Sequence, residues 1–342
     1  MRRAVVDLQS YRPIWAVPPE TLEIIEGAFG QGWEIVNVSE PTCSDGDGSG
    51  SSQEVLAAAR EAEVYFGFGI APKVAEAACG TLRWVHSAAA GARASLSDSF
   101  KTTGAMLTNS RGIHAEPVAD WVVMAISFCL RGGHAAVAGQ HERRWSKDSF
   151  TDGSIPVTEL SGTRVGVVGL GGIGQAVARR CLALTMEVRG VRRRPELHYL
   201  DGVTWVGGPA DLLELASHSE VLVICAPHTE HTEELISAEV LESLPRGAYV
   251  INPSRGALVD EVALLEGLES GRLGGCVLDV FAREPLAADH PFWDHPKVLV
   301  TPHISAVSDR FWGRENALIA DNIGRYLSGA KLRNLVNIEL GY

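Results

Sequence analysis

Apolar residues recur along this chain in two rhythms. Short Val-, Ile- and aromatic-rich runs, such as EVYFGF at 63–68 and LRWVHS at 82–87, flank the alanine-rich stretch PKVAEAAC at 72–79, whose composition suits a helix. That is a βα pattern. Beyond residue 163 it becomes a regular series, with strands expected at 165–170, 187–191, 204–206, 221–226, 249–252, 276–280 and 298–301. Several are continuous apolar runs, as parallel strands covered on both faces require. Residues 116–130, EPVADWVVMAISFCL, predict a long apolar helix with Pro117 in its first turn, where a missing N–H costs nothing; it is a candidate hinge between domains. A looser stretch follows at 139–163. The segment from Arg310 predicts a helix ending near Gly329, and the closing LVNIEL is expected to pair as a strand with the first domain. The expected fold is therefore α/β, with a doubly wound Rossmann parallel sheet at 113–306 inserted in a discontinuous domain formed by 1–112 plus 307–342.

Composition narrows the class. A length of 342 residues exceeds the usual single compact domain, and 46% hydrophobic with 21% charged residues is ordinary for a globular protein. The net charge of −12 disfavours nonspecific binding to nucleic acid or to an anionic membrane, so any anionic ligand must meet a local basic pocket. The six cysteines, Cys43, Cys79, Cys129, Cys181, Cys225 and Cys276, show no C-x-x-C pair or zinc-ligand spacing and read as reduced, mostly buried thiols; no metal is expected. CSDGDGSGSS at 43–52 reads as a mobile surface loop. The first residues reach Asp7 and Gln9 before any apolar core of signal-peptide length, and the apolar helix at 118–130 carries Asp120 and is too short for a bilayer of roughly 30 Å. A cytoplasmic location is expected.

After the strand RVGVVGL come Gly169, Leu170, Gly171, Gly172, Ile173 and Gly174, and then the helical run QAVARRCLAL. A G-x-G-x-x-G between a strand and a helix has a physical meaning. The first glycine permits a tight turn, the second admits a pyrophosphate to the backbone, and the third lets helix pack on strand, so that the helix N-terminus meets the anion. A site preferring NAD would carry an acid some twenty residues on, for the ribose hydroxyls. Here the second strand runs instead into Arg192, Arg193 and Arg194, which match a 2′-phosphate in charge and bidentate geometry; NADP(H) is expected over NAD(H). A solvated basic turn is the plainer alternative.

Three further segments follow later strands: Asn252-Pro253-Ser254-Arg255-Gly256, Asp279-Val280-Phe281-Ala282-Arg283-Glu284-Pro285-Leu286 and Thr301-Pro302-His303-Ile304. Their residue types suit reduction of a 2-oxo acid, which needs a cation for the carboxylate and carbonyl and a proton donor for the developing alkoxide. Arg255 offers the bidentate cation, and His303 the acid/base, since imidazole titrates near neutrality. Glu284, bonded to the ring, would favour its charged form and fix its tautomer. Singly, each has a bland reading as a solvated charge or turn former; together they form an acid/base cluster. The remaining histidines, His86 and His228 among them, lack this context and read as structural or surface residues.

With the glycine loop, these segments resemble the D-isomer-specific 2-hydroxyacid dehydrogenase family, whose patterns N-x-x-R-G, D-V-F-x-x-E-P-L and T-P-H-I they match in order. The resemblance also covers 108–112, 117–120 and the segment Ala226-Pro227-His228-Thr229 after a central strand. It implies the same roles for Arg255, Glu284 and His303, a flavodoxin-like substrate domain, dinucleotide contacts at Ala226, Pro227 and Asp279, and a homodimer. It also places a carboxylate-binding turn at 87–92, with Ala89, Ala90 and Gly91 against substrate and the Ala90 and Gly91 amides as donors. The chain departs from the family's S-x-G-V-D form by carrying Ala92-Arg93, which leaves the register open by about one residue and Arg93 as a substrate contact or a surface charge. Trp145 is either a lid on a neighbouring subunit's pocket, as in glyoxylate/hydroxypyruvate reductases of this family, or a local core residue. The expected function is hydride transfer between NADP(H) and C2 of a small 2-oxo or 2-hydroxy acid. Phosphite oxidation on the same fold and a corepressor-like dinucleotide sensor are the alternatives; formate oxidation fits less well, because formate dehydrogenases carry Gln where Glu284 stands.

Overall fold

The computed structural model describes residues 1–42, 51–197, 200–339 and 341. The expected loop at 43–52 and the thiol of Cys43 lie mainly outside them, and so does the end of LVNIEL. The chain divides into two compact units, one formed by Met1–His114 with Val307–Tyr342 and the other by Ala115–Ala306.

The first unit carries five parallel strands, β1 (Arg2–Asp7), β2 (Trp33–Asn37), β3 (Val64–Gly67), β4 (Trp84–Ser87) and β5 (Met106–Asn109), in the order β2-β1-β3-β4-β5. This is the flavodoxin-like order. β3 and β4 are buried along their whole length, because helices cover both faces of the sheet. The helix Phe311–Ser328 belongs to this unit and ends on Gly329 in the left-handed region at φ 69°, as the sequence suggests. It buries Phe311, Ile319 and Ile323 beside Val6, Phe66 and Trp84. The closing LVNIEL adds less than a strand: Leu335 makes a single antiparallel bridge to Thr108, and the Val336 amide donates to the Leu107 carbonyl at 2.8 Å.

The second unit has seven parallel strands: β6 (Arg164–Val168), β7 (Glu187–Val191), β8 (Val203–Gly207), β9 (Val221–Ile224), β10 (Tyr249–Asn252), β11 (Gly275–Leu278) and β12 (Val298–Val300). Their order, β12-β11-β10-β9-β6-β7-β8, reverses direction between β6 and β9. That reversal is the topological switch point where open α/β sheets bind ligands, beyond the strands' carboxyl ends. The helix Ala115–Leu130 packs its buried residues, including Val118, Val122 and Ile126, with Val165, Val167 and Val177 in this unit's core. The stretch read as loose holds the end of one short helix, Gly133–His141, and the whole of another, Lys147–Thr151. Neither has an apolar stripe strong enough to announce itself in the sequence.

Cys129, Cys181, Cys225 and Cys276 are buried, whereas Cys79 is exposed. Among the described residues no cluster of three or more His, Cys, Asp or Glu side chains is arranged to hold a metal ion. No single helix among them is long and apolar enough to cross a membrane; Ala115–Leu130 and Gly133–His141 reach that length and composition only as a pair bent by 74°.

Candidate active site

The glycine loop joins β6 to the helix Gly172–Ala183. Each glycine has its own geometric reason. Gly169 sits at φ +99°, and a Cβ there would come within 2.7 Å of the Ala226 amide nitrogen. A Cβ on Gly174 would fall 2.1 Å from the Gly169 carbonyl oxygen, so the helix approaches the turn only because Gly174 lacks a side chain. Gly171, the helix N-cap, faces open space, with nothing within 4 Å of its would-be Cβ. A tight turn, a packed helix and an open approach to the first helical amides, those of Gly172, Ile173 and Gly174, are what a pyrophosphate requires. The residues present fit a dinucleotide.

Three other loops of this unit carry the candidate chemistry. After β10, Asn252 shapes the turn that presents Arg255: its Oδ1 accepts from the Ser254 amide at 3.0 Å and its Nδ2 donates to the Arg255 carbonyl at 2.9 Å. Ser254 ties the turn to β9 by donating to the Ile224 carbonyl at 2.7 Å. A Cβ on Gly256 would overlap the Phe281 backbone at 1.8 Å, so this glycine seats the arginine turn directly against the loop leading to Glu284. In that loop Glu284 Oε1 accepts from the Phe281 amide at 3.0 Å, while Oε2 lies 2.7 Å from His303 Nδ1.

His303 occupies the left-handed region at φ 54°, a conformation L-residues adopt only when surroundings impose it. Asp279 imposes it. Fully buried at the end of β11, its carboxylate accepts the Thr301 hydroxyl and the amides of Ile304 and Ser305 at 2.9 and 2.8 Å, and its carbonyl receives the His303 amide at 2.9 Å. Its side chain is thereby tied to the turn that carries the histidine. With Nδ1 turned to Glu284, His303 Nε2 has no hydrogen-bond partner among the described residues. It is the nitrogen able to exchange a proton with a bound molecule.

The electrostatics agree with this division. Burial opposes ionisation of Glu284, yet the bonds from His303 and the Phe281 amide and the charges of His303 and Arg255 outweigh it, holding the carboxyl below its usual range. Arg255 is shifted down by the protein packed around it, against the opposing charge of Glu284. It remains a cation, since guanidinium does not deprotonate in proteins.

In the first unit, the turn after β4 has its carbonyls held. Ser110 donates its hydroxyl to Ser87 and its amide to Ala89 at 2.9 and 3.1 Å, and Asn109 Nδ2 donates to Ala90 at 2.7 Å. The Ala89 amide donates to Ser87 Oγ at 3.3 Å, so Ala89 is not a free donor. The amides of Ala90 and Gly91 are left without a partner among the described residues, and both residues are accessible.

The other expected residues fall as follows. Arg192 Nη1 donates to the Leu197 carbonyl at 3.2 Å, and Arg193 and Arg194 are exposed. Ala226 and Pro227 follow β9 beside Gly169, in a loop that Thr232 closes by donating to the Pro227 carbonyl at 2.8 Å. His228 pairs with Glu233. Arg93 is exposed. Trp145 is 93% exposed, which removes the local-core reading.

A family model described as D-isomer specific 2-hydroxyacid dehydrogenase, NAD binding domain, matches residues 123–305. Glyoxylate/hydroxypyruvate reductase A of Serratia proteamaculans is 35% identical over 178 residues, covering 52% of this chain and 56% of that protein. Across the first two curated relatives the match spans 65% and 56% of the relative's own length. Among solved structures, a D-isomer specific 2-hydroxyacid dehydrogenase from Xanthobacter autotrophicus Py2, in complex with NADPH and MES, matches with a TM-score of 0.80 at 27% identity over 100% of this chain and 99% of that one. An NADPH-dependent glyoxylate/hydroxypyruvate reductase from Sinorhizobium meliloti, in complex with NADP and sulfate, matches with a TM-score of 0.76 at 27% identity over the whole of both chains.

Proposed function

As this chain belongs to the D-isomer specific 2-hydroxyacid dehydrogenase family, we propose that it is a cytoplasmic, homodimeric reductase that uses NADPH to convert a small 2-oxo acid of the glyoxylate or hydroxypyruvate type to its 2-hydroxy acid. The observation carrying this reading is the 2.7 Å pairing of His303 Nδ1 with Glu284, which leaves Nε2 as the exchangeable nitrogen, beside an arginine turn seated on the same loop. The dinucleotide, when bound at Gly169–Gly174, supplies the hydride. The protein's part is charge and proton management. Arg255 binds the carboxylate and draws electron density toward the carbonyl oxygen. His303 Nε2 delivers a proton to that oxygen as the alkoxide develops, while Glu284 holds the ring's orientation through Nδ1. In the first unit the Ala90 and Gly91 amides are the proposed donors to an anionic group. NADPH is favoured because β7 runs into Arg192, Arg193 and Arg194 with no acid at the strand's end, and because two similar structures hold NADPH or NADP.

The test is absorbance at 340 nm with NADPH and with NADH, across glyoxylate, hydroxypyruvate, pyruvate, phenylpyruvate and branched 2-oxo acids, with phosphite oxidation run in parallel. NADPH consumption with one acid preferred is expected. Turnover of phosphite alone, or silence on every acid, overturns the substrate reading; an equal rate with NADH overturns the cofactor reading.

A further inference from the structure

Beneath the 87–91 turn lies a group of polar side chains that this chemistry leaves unused. His86 on β4 and Glu315 on the helix Phe311–Ser328 are both fully buried, and His86 Nε2 lies 2.8 Å from Glu315 Oε1 across 229 residues of sequence. Ser110 Oγ reaches the same carboxylate oxygen at 2.9 Å while also reaching the Ser87 carbonyl at 2.9 Å, so one hydroxyl proton serves two acceptors. On the ring's other side, Nδ1 meets Thr108 Oγ1 at 2.9 Å, and that hydroxyl also accepts the Trp84 indole N–H at 2.9 Å. Glu315 Oε2 has no partner among the described residues, so the carboxylate's hold on β4 and β5 passes through Oε1 alone.

Stability does not account for such a group. Desolvating two ionisable side chains costs several kcal/mol, and well-packed apolar residues often serve a core as well or better. What the group adds is direction. Its bonds converge on Ser110, whose hydroxyl and amide hold the Ser87 and Ala89 carbonyls, next to Asn109 holding that of Ala90. With those carbonyls held, the Ala90 and Gly91 amides are the groups of the turn left without a partner among the described residues.

We propose that His86, Ser110 and Glu315 are positioning residues that hold the 87–91 turn in the form whose Ala90 and Gly91 amides are open to an anionic group of the substrate. The role rests on the function proposed above. It is tested in the full-length protein by Ser110→Ala and Glu315→Gln, read by hydrogen–deuterium exchange and by steady-state kinetics with the preferred 2-oxo acid. Ser110→Ala is expected to raise KM about tenfold, and Glu315→Gln about threefold because glutamine keeps an acceptor, with kcat within about twofold of wild type. NADPH affinity should not move. Exchange in peptides spanning 86–92 should quicken, while that over 164–184 stays as in wild type. Unchanged exchange in 86–92 overturns the proposal, as does an unchanged KM accompanied only by a lower Tm, which is what a merely structural group would give. Exchange needs no turnover, so it judges the positioning even if wild type reduces no 2-oxo acid; that silence would overturn the substrate reading, and with it the role of the turn. Ser110→Ala deletes one buried atom and keeps the test available if Glu315→Gln does not fold.

Discussion

Each unit buries an aspartate at the carboxyl end of a parallel strand, and the two are served differently. Asp279, beyond β11, is fully buried and accepts three hydrogen bonds, from the Thr301 hydroxyl and the Ile304 and Ser305 amides. Asp7, closing β1, is 4% exposed and accepts from the Tyr65 hydroxyl. Burial pushes the Asp7 carboxyl up to about 6, against the Tyr65 bond and with a smaller contribution from the charge of Glu54. The difference teaches that a buried carboxylate becomes a building element when enough donors surround it and a liability when they do not. In the second unit two of the three donors are backbone amides, so the charge organises a turn, and the residue placed by that turn is His303.

The sharpest way to break this comparison is at the histidine itself. His303→Gln should cut kcat by about 10² or more with NADPH affinity intact, because the protein loses its proton donor and not its dinucleotide loop. Unchanged turnover would sink the acid/base assignment.

Removing Asp279 comes next. Asp279→Ala strands the amides of Ile304 and Ser305 and should cost about 3 kcal/mol in chemical denaturation while also lowering kcat. A loss of stability with full activity would show that the turn places His303 without its carboxylate.

Asp7 carries the opposite sign. Its folded pKa is raised above the unfolded value of 3.8, so the folded state holds the proton longer and stability falls as pH rises from about 4 to about 6. The full linkage is about 3 kcal/mol, and an asparagine that still accepts from Tyr65 recovers part of it. Asp7→Asn should therefore be roughly 1–2 kcal/mol more stable than wild type at pH 8, an advantage that vanishes below about pH 4. A variant less stable than wild type at pH 8 would refute the reading.

The smallest expected effect lies at the end of β7. Arg192→Ala with Arg193→Ala should weaken NADPH by about tenfold and NADH much less, measured as KM for each. Equal losses for both would remove the phosphate contact.

How far the sequence reached depended on the distance over which each feature acts. The glycine loop was legible because each glycine answers a local demand: Gly169 has positive φ and Gly174 lies against the carbonyl of a residue five positions before it. Strands such as β9 and β10 begin where the apolar runs placed them, at 221 and 249, since burial on both faces leaves an uninterrupted signature. Arg255, Glu284 and His303 were legible as motifs. Their arrangement was not, because Gly256 meets Phe281 only once β10 and β11 pair. The bonds of Asp279 to the 301–305 turn were not legible for the same reason: an aspartate after a strand looks alike whatever donors it meets. His86 was left among structural or surface histidines, and nothing local points to its partner.

Most of the strands, the glycine loop, the basic end of β7 and the three candidate reactive residues are set within a few positions of sequence, over which periodicity, glycine placement and residue chemistry act. Only the tertiary structure decided which buried charges find donors. Asp279 meets amides 25 and 26 residues on, Asp7 a tyrosine 58 residues away, and His86 a glutamate on the far side of the chain. Desolvation and hydrogen-bond geometry belong to the packed environment, and no stretch of sequence contains that environment until the sheets have formed.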